Sequence, residues 1–154
     1  MKKIGVWMAV AALAVAGFAM TGAMAHDEKD TLDGAYRFVR LDTPSGPQET
    51  QEGMLVVADG HMCHIRVGKE REAITREDSD EEQTRKAAAA FGSANGTCGT
   101  YTLEAGKVTA TWAVSLQPGG EGNSSEFLVE REGDSLTLAP AGAPQFKFVN
   151  ERVR

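Results

Sequence analysis

Four consecutive residues, His61-Met62-Cys63-His64, gather imidazole, thioether and thiol donors, the soft set that a copper site outside the cytoplasm would use. Their spacing works against it. On a strand, neighbours point to opposite faces, so His61 and Cys63 share one side while Met62 and His64 share the other, and neither pair completes a coordination set. No metal or other cofactor is expected. The chain has one further thiol, Cys98. In an oxidising compartment the default chemistry is a Cys63–Cys98 disulfide, which in the chain-entropy view would stabilise by about 4 kcal/mol. A reactive or metal-binding thiol is the rival reading.

Catalysis needs a nucleophile beside its base, paired carboxylates or a metal set. The chain holds three histidines, and His26 stands ahead of all the expected strands. His61 and His64 read as strand histidines, exposed or hydrogen-bonded, before they read as catalysts. The acidic residues mostly lie in the charged run Glu70 to Glu82 or face water on strands, which reads as a solvated surface. Gly119 to Gly122 lacks the following helix that a phosphate loop requires. No catalytic residues are assigned, and an enzyme is the less favoured class.

Where such residues would work depends on the start of the chain. Lys2 and Lys3, the apolar run Ile4 to Met20 and the small-residue site Ala23-Met24-Ala25 have the form of a secretory signal over residues 1–25, cleaved after Ala25. The expected product is periplasmic or secreted, with a short segment over 26–34 and one domain over 35–154. No Cys follows the cleavage point to take a lipid, and nothing later is apolar enough to span a bilayer, so no stable membrane anchor is expected. The signal carries two of the 16 basic residues and none of the 22 acidic ones, which leaves a mature net charge of about −8. A surface that acidic argues against nucleic acid as a partner. The mature chain is also lean in apolar residues, near 36%.

Turn signals recur at short intervals, separated by segments that alternate or carry aromatic and β-branched residues. The pattern predicts eight strands: Ala35 to Leu41, Gly53 to Ala58, His61 to Val67, Thr97 to Leu103, Lys107 to Leu116, Ser125 to Glu132, Ser135 to Leu138 and Gln145 to Glu151. Asp59-Gly60 is a two-residue hairpin turn, since both central positions need positive φ. Thr43 to Pro47, with two prolines and a glycine, should end the first strand. In Lys107 to Leu116, Val108, Ala110, Trp112, Val114 and Leu116 fall on one face, the clearest alternation in the chain. Between the third and fourth strands the spacing predicts a helix from Ser79 to Phe91, capped by Ser79 or Asp80 and lying against the sheet as a lid or plug. A partly disordered acidic loop is the alternative there. Eight meandering strands form either a two-sheet sandwich or a closed barrel, and the single helix in that position favours a mostly antiparallel, up-and-down, all-β barrel.

Leu32-Asp33-Gly34-Ala35-Tyr36-Arg37-Phe38-Val39 resembles the Leu-x-Gly-x-Trp-Arg-Leu-Val opening strand of the bacterial lipocalin-like domain family. Asp59-Gly60-His61-Met62 is similar to that family's second marker, a Gly-x-Met after an Asp. The run Phe91 to Gly99, the hairpin Gly99 to Leu103 with Gly106 to Thr109, and Glu132 to Leu138 resemble its later markers. Tyr36 replaces the usual Trp, and Pro118-Gly119-Gly120-Glu121-Gly122 replaces a Pro-x-Trp-x-Gly loop, so any contact of that Trp is lost. The resemblance implies a calycin-type barrel with a central cavity and no settled activity.

A hollow barrel would be lined by Tyr36, Phe38, Trp112, Val114, Phe127, Phe146 and Phe148, with Tyr36, Arg37 or Arg40 as a polar handle. Three functions stay open on this reading. The first is binding of a small hydrophobic or amphipathic molecule in the cavity. The second is cofactor-free catalysis on such a molecule, which needs His61 or His64 to point inward. The third is an envelope interaction protein, its barrel filled and its acidic helix region the contact surface. The oligomeric state is not readable.

Overall fold

The computed structural model describes residues 31–154, so the expected secretory signal and residues 26–30 lie outside the described residues. β1 (Gly34–Thr43) is followed by β2 (Gly46–Gln48), β3 (Gln51–Ala58) and β4 (His61–Gly68). After α1 (Asp80–Gly92) come β5 (Asn95–Glu104), β6 (Lys107–Ser115), β7 (Ser124–Glu132), β8 (Ser135–Pro140) and β9 (Lys147–Arg152). Every pairing is antiparallel between neighbours, and β1 also pairs with β9, which closes eight of the strands into a barrel.

The ninth strand is a correction to the sequence reading. Thr43 to Pro47 does not simply end β1. It folds back, so that Thr43, Asp42 and Leu41 pair with Gly46, Pro47 and Gln48 of β2. Thr43 Oγ1 accepts from Ser45 N and donates to Gly46 O, satisfying the tight turn. Pro47 is tolerated because β2 is three residues long and pairs only with β1. The helix therefore lies between β4 and β5, not between the third and fourth strands. It was also expected to press on the sheet, yet α1 buries none of its residues. Its stability is local. Ser79 Oγ accepts from Glu82 N, acidic residues fill the first turn, and Lys86 Nζ sits 2.8 Å from Asp78 Oδ1.

Short turns gather at one end of the barrel. Asp59-Gly60 has φ of 48° and 75°, and Ala105-Gly106 has 48° and 76°, so both hairpins hold two consecutive left-handed residues, as the expected turn chemistry requires. The interior at this end is filled by Leu32, Tyr36, Val57, Val108, Ala110 and Leu136. Tyr36 is 1% exposed, and its hydroxyl donates to Leu32 O while accepting from the Arg152 guanidinium at 3.0 Å. Arg152 also lies over the Tyr36 ring and donates to Asp33 O. Gly34, at φ 151°, makes room for it, since a Cβ there would stand 3.1 Å from the guanidinium carbon. One cation thus ties β1 to β9 where the barrel closes.

On the outer face, Cys63 and Cys98 are directly opposed on β4 and β5, with Cα atoms 4.0 Å apart, and form the disulfide. The bridge encloses the whole excursion through α1. The Cys63→Ala/Cys98→Ala variant should lose about 4 kcal/mol of unfolding free energy in a urea titration followed by Trp fluorescence. Ala105 is in the opposite position, since a left-handed alanine opposes its own backbone preference. Ala105→Asn should raise the unfolding free energy by about 0.5–1 kcal/mol in the same titration.

Candidate functional site

The filled layer stops partway along the barrel. Toward the end where the longer connections run, a cavity of about 330 Å³ remains, within the range of small-molecule sites. Its walls are mostly apolar, with Phe38, Trp112, Phe127, Leu138 and Phe148 among the lining residues. Trp112 stands edge-on to Phe127, with centroids 6.5 Å apart, and its Nε1 donates to Ser125 Oγ at 2.9 Å, so the indole is fixed.

Of the nine residues expected at a cavity, Phe38, Trp112, Phe127 and Phe148 are there. The other five are placed elsewhere by local backbone geometry. Tyr36 points inward but belongs to the filled end. A bulge at Val39 shifts the β1–β9 register, so Arg40 falls beside Val149, on the face opposite Phe148, and pairs with Asp42 at 2.8 Å. A second bulge interrupts the alternation of β6: Gly99 opposes Trp112 and Cys98 opposes Val114, which leaves Ala113 unpaired. Val114 is thereby turned outward beside the disulfide and is 60% exposed. Gly99 allows this close approach, because a Cβ there would lie 1.9 Å from Thr111 O. β9 begins only at Lys147, so Phe146 sits in the preceding connection, 37% exposed. Arg37 lies outside as well, paired with Glu151.

The polar part of the cavity comes from residues the sequence reading did not assign. On β4, Met62, His64 and Arg66 all line it. His64 Nε2 is 3.1 Å from Asn95 Oδ1, an oxygen that can only accept, so Nε2 carries the proton. Nδ1 then accepts from the Thr97 hydroxyl at 3.3 Å. The ring is neutral, with both nitrogens satisfied, and edge-on to Trp112 at 5.8 Å. Burial pushes its pKa below the usual histidine value; the Asn95 contact opposes this and the nearby Arg66 charge adds to it. The Arg66 guanidinium lies 4.3 Å from the Phe148 ring centroid and 5.5 Å from that of Phe38, and burial lowers its pKa too. The signal for these residues was period-two spacing from Met62, which carries His64 and then Arg66 to one face.

The family model of the lipocalin-like domain matches residues 39–150. Two crystal structures resemble the fold at low identity. A lipocalin-like protein from Bacteroides uniformis is 14% identical, with a TM-score of 0.47, over 79% of this chain and 98% of that one. An uncharacterized protein from Bacteroides eggerthii is also 14% identical, with a TM-score of 0.48, over 80% of this chain and all of that one. No curated protein matches the chain.

The neutral His64 has a consequence for pH. Its pKa is lower folded than unfolded, so between the two values the unfolded chain binds the extra proton and folding opposes protonation. The contribution of His64 to stability is complete above about pH 6.5 and is lost as pH drops below it. Urea titrations across that window should show the fall in the native protein and a flatter profile in His64→Gln.

Proposed function

This chain belongs to the lipocalin-like domain family, and from that premise we propose that it is exported and there binds a small hydrophobic or amphipathic molecule inside its barrel. The observation that carries the reading is the cavity of about 330 Å³, bounded by fixed aromatic side chains and reached by a few polar groups. Export is supported by Lys2, Lys3, the apolar run to Met20 and Ala23-Met24-Ala25, and it agrees with a chain whose two cysteines are joined.

Cofactor-free catalysis in the same cavity is the second reading, and one observation favours it. His64 lines the cavity, as that reading requires. With Nε2 donating to Asn95 and Nδ1 accepting from Thr97, the ring has no free lone pair for a substrate proton. Binding therefore stands first. Acting as a contact surface through α1 stands last, since it leaves the cavity without a role.

Phenylnaphthylamine, an uncharged probe that fluoresces in apolar surroundings, should bind the purified protein and be displaced by the molecule it carries from its host. Native mass spectrometry should detect that co-purifying species. Thr97→Trp, which fills the cavity from β5, should abolish probe uptake while circular dichroism stays that of the native barrel. Undiminished uptake by this folded variant would move the binding site elsewhere.

A further inference from the structure

The chain is acidic, yet the cavity contains a cation without a counter-charge. Among the described residues, Arg66 forms no ion pair and no hydrogen bond with a carboxylate. The other described arginines that matter to the fold are engaged, Arg40 by Asp42, Arg37 by Glu151 and Arg152 by Tyr36 and Asp33. The one acidic residue along the cavity, Glu126, turns its carboxylate to Lys107 at 2.9 Å. What Arg66 does have is two aromatic rings, Phe38 and Phe148, which orient the guanidinium without neutralising it.

The strand that carries it runs against its own hydrophobic preference. Ile65 faces outward and is 49% exposed, while its neighbours His64 and Arg66 face the cavity. Register imposes this arrangement. Cys63 and Cys98, paired across β4 and β5, lie on the outer face, and Met62, His64 and Arg66 alternate with Cys63 onto the inner one. A conflict of this kind between local preference and fold is expected where a binding group is needed.

Resting on the cavity-binding reading above, we propose that the ligand is an amphipathic molecule with a single anionic, planar head of the carboxylate class, held by Arg66. The guanidinium is a planar fork that matches a carboxylate bidentately, and in a low-dielectric site such a pair is stronger than at the surface. One arginine beside a neutral histidine supplies one positive charge, so a monoanion is neutralised and a doubly charged phosphate is not. On β4, Arg66 is the cavity residue nearest the long connections and Met62 the farthest from them. The head is held at that end, and the apolar remainder lies along Trp112, Leu138 and Met62.

Decanoate, decanol and decylammonium share one tail and differ in the head. Their displacement of phenylnaphthylamine, measured at neutral pH, tests the assignment. Decanoate should bind the native protein about 10-fold or more tighter than decanol, and decylammonium weakest. Arg66→Met should abolish the preference for decanoate, so that decanoate binds no tighter than decanol, while circular dichroism stays that of the native barrel. Arg66→Lys should keep part of the preference, since charge remains while the fork is lost. Equal binding of decanoate and decanol by the native protein would overturn the anionic head and leave the cavity reading intact. Failure of the probe and of all three amphiphiles to bind would overturn both.

Discussion

Closure of β1 on β9 is the constraint on which the rest of the structure depends. An open sheet of these strands would expose two edges and one lean apolar face. Joined, each strand has an inside and an outside, and register decides which residues face the interior. The Arg152 guanidinium works at this seam, lying on the Tyr36 ring and reaching Asp33 O, and Gly34 leaves it the space. Tyr36 stands where the family resemblance expects a tryptophan. Its hydroxyl supplies a hydrogen bond to Leu32 O that also fastens the incoming chain, so the smaller ring covers the closed end with help from Leu32.

A lean composition then decides how far filling can go. Apolar side chains suffice for the layers at the short-turn end, where Val57, Val108 and Leu136 meet with almost no exposure. Farther along, aromatic residues continue on the wall, while His64, Arg66, Asn95 and Thr97 take inward positions. Those groups are compatible with folding because most are satisfied within the protein. Asn95 and Thr97 hold both nitrogens of His64, and the buried Asn150 donates to two backbone carbonyls. The hollow is the portion that this sequence does not fill with apolar atoms.

Much of this was legible in the chain before folding. Strand order, the Asp59-Gly60 hairpin, the helix with its Ser79 cap and the closed barrel follow from turn chemistry and alternation, which act locally. The errors came where one extra residue changes parity. Alternation correctly puts Trp112 inside and then carries Val114 with it, but the bulge at Ala113 reverses the faces beyond that point. The shift at Val39 does the same to Arg40. Neither bulge has a residue type that announces it, although Gly99 opposite the first is the trace left by the close approach. The short strand β2 was hidden because prolines read as terminators, and at an edge they need not be.

The polar half of the site was missed for another reason. Hydrophobicity makes Cys63, Ile65 and Val67 the natural buried face of β4 and leaves His64 and Arg66 for water. The closed barrel takes the opposite face. The Cys63–Cys98 pair lies on the outer face, where it can join adjacent strands without taking up interior volume, and period-two geometry then carries His64 and Arg66 to the inside. Pairing the two cysteines from sequence shows that they share a face but not that the face is the outer one, so the inward turn of His64 and Arg66 is visible only in the folded barrel. On that inner face the arginine lies against Phe38 and Phe148, a positive charge set in a mostly apolar wall.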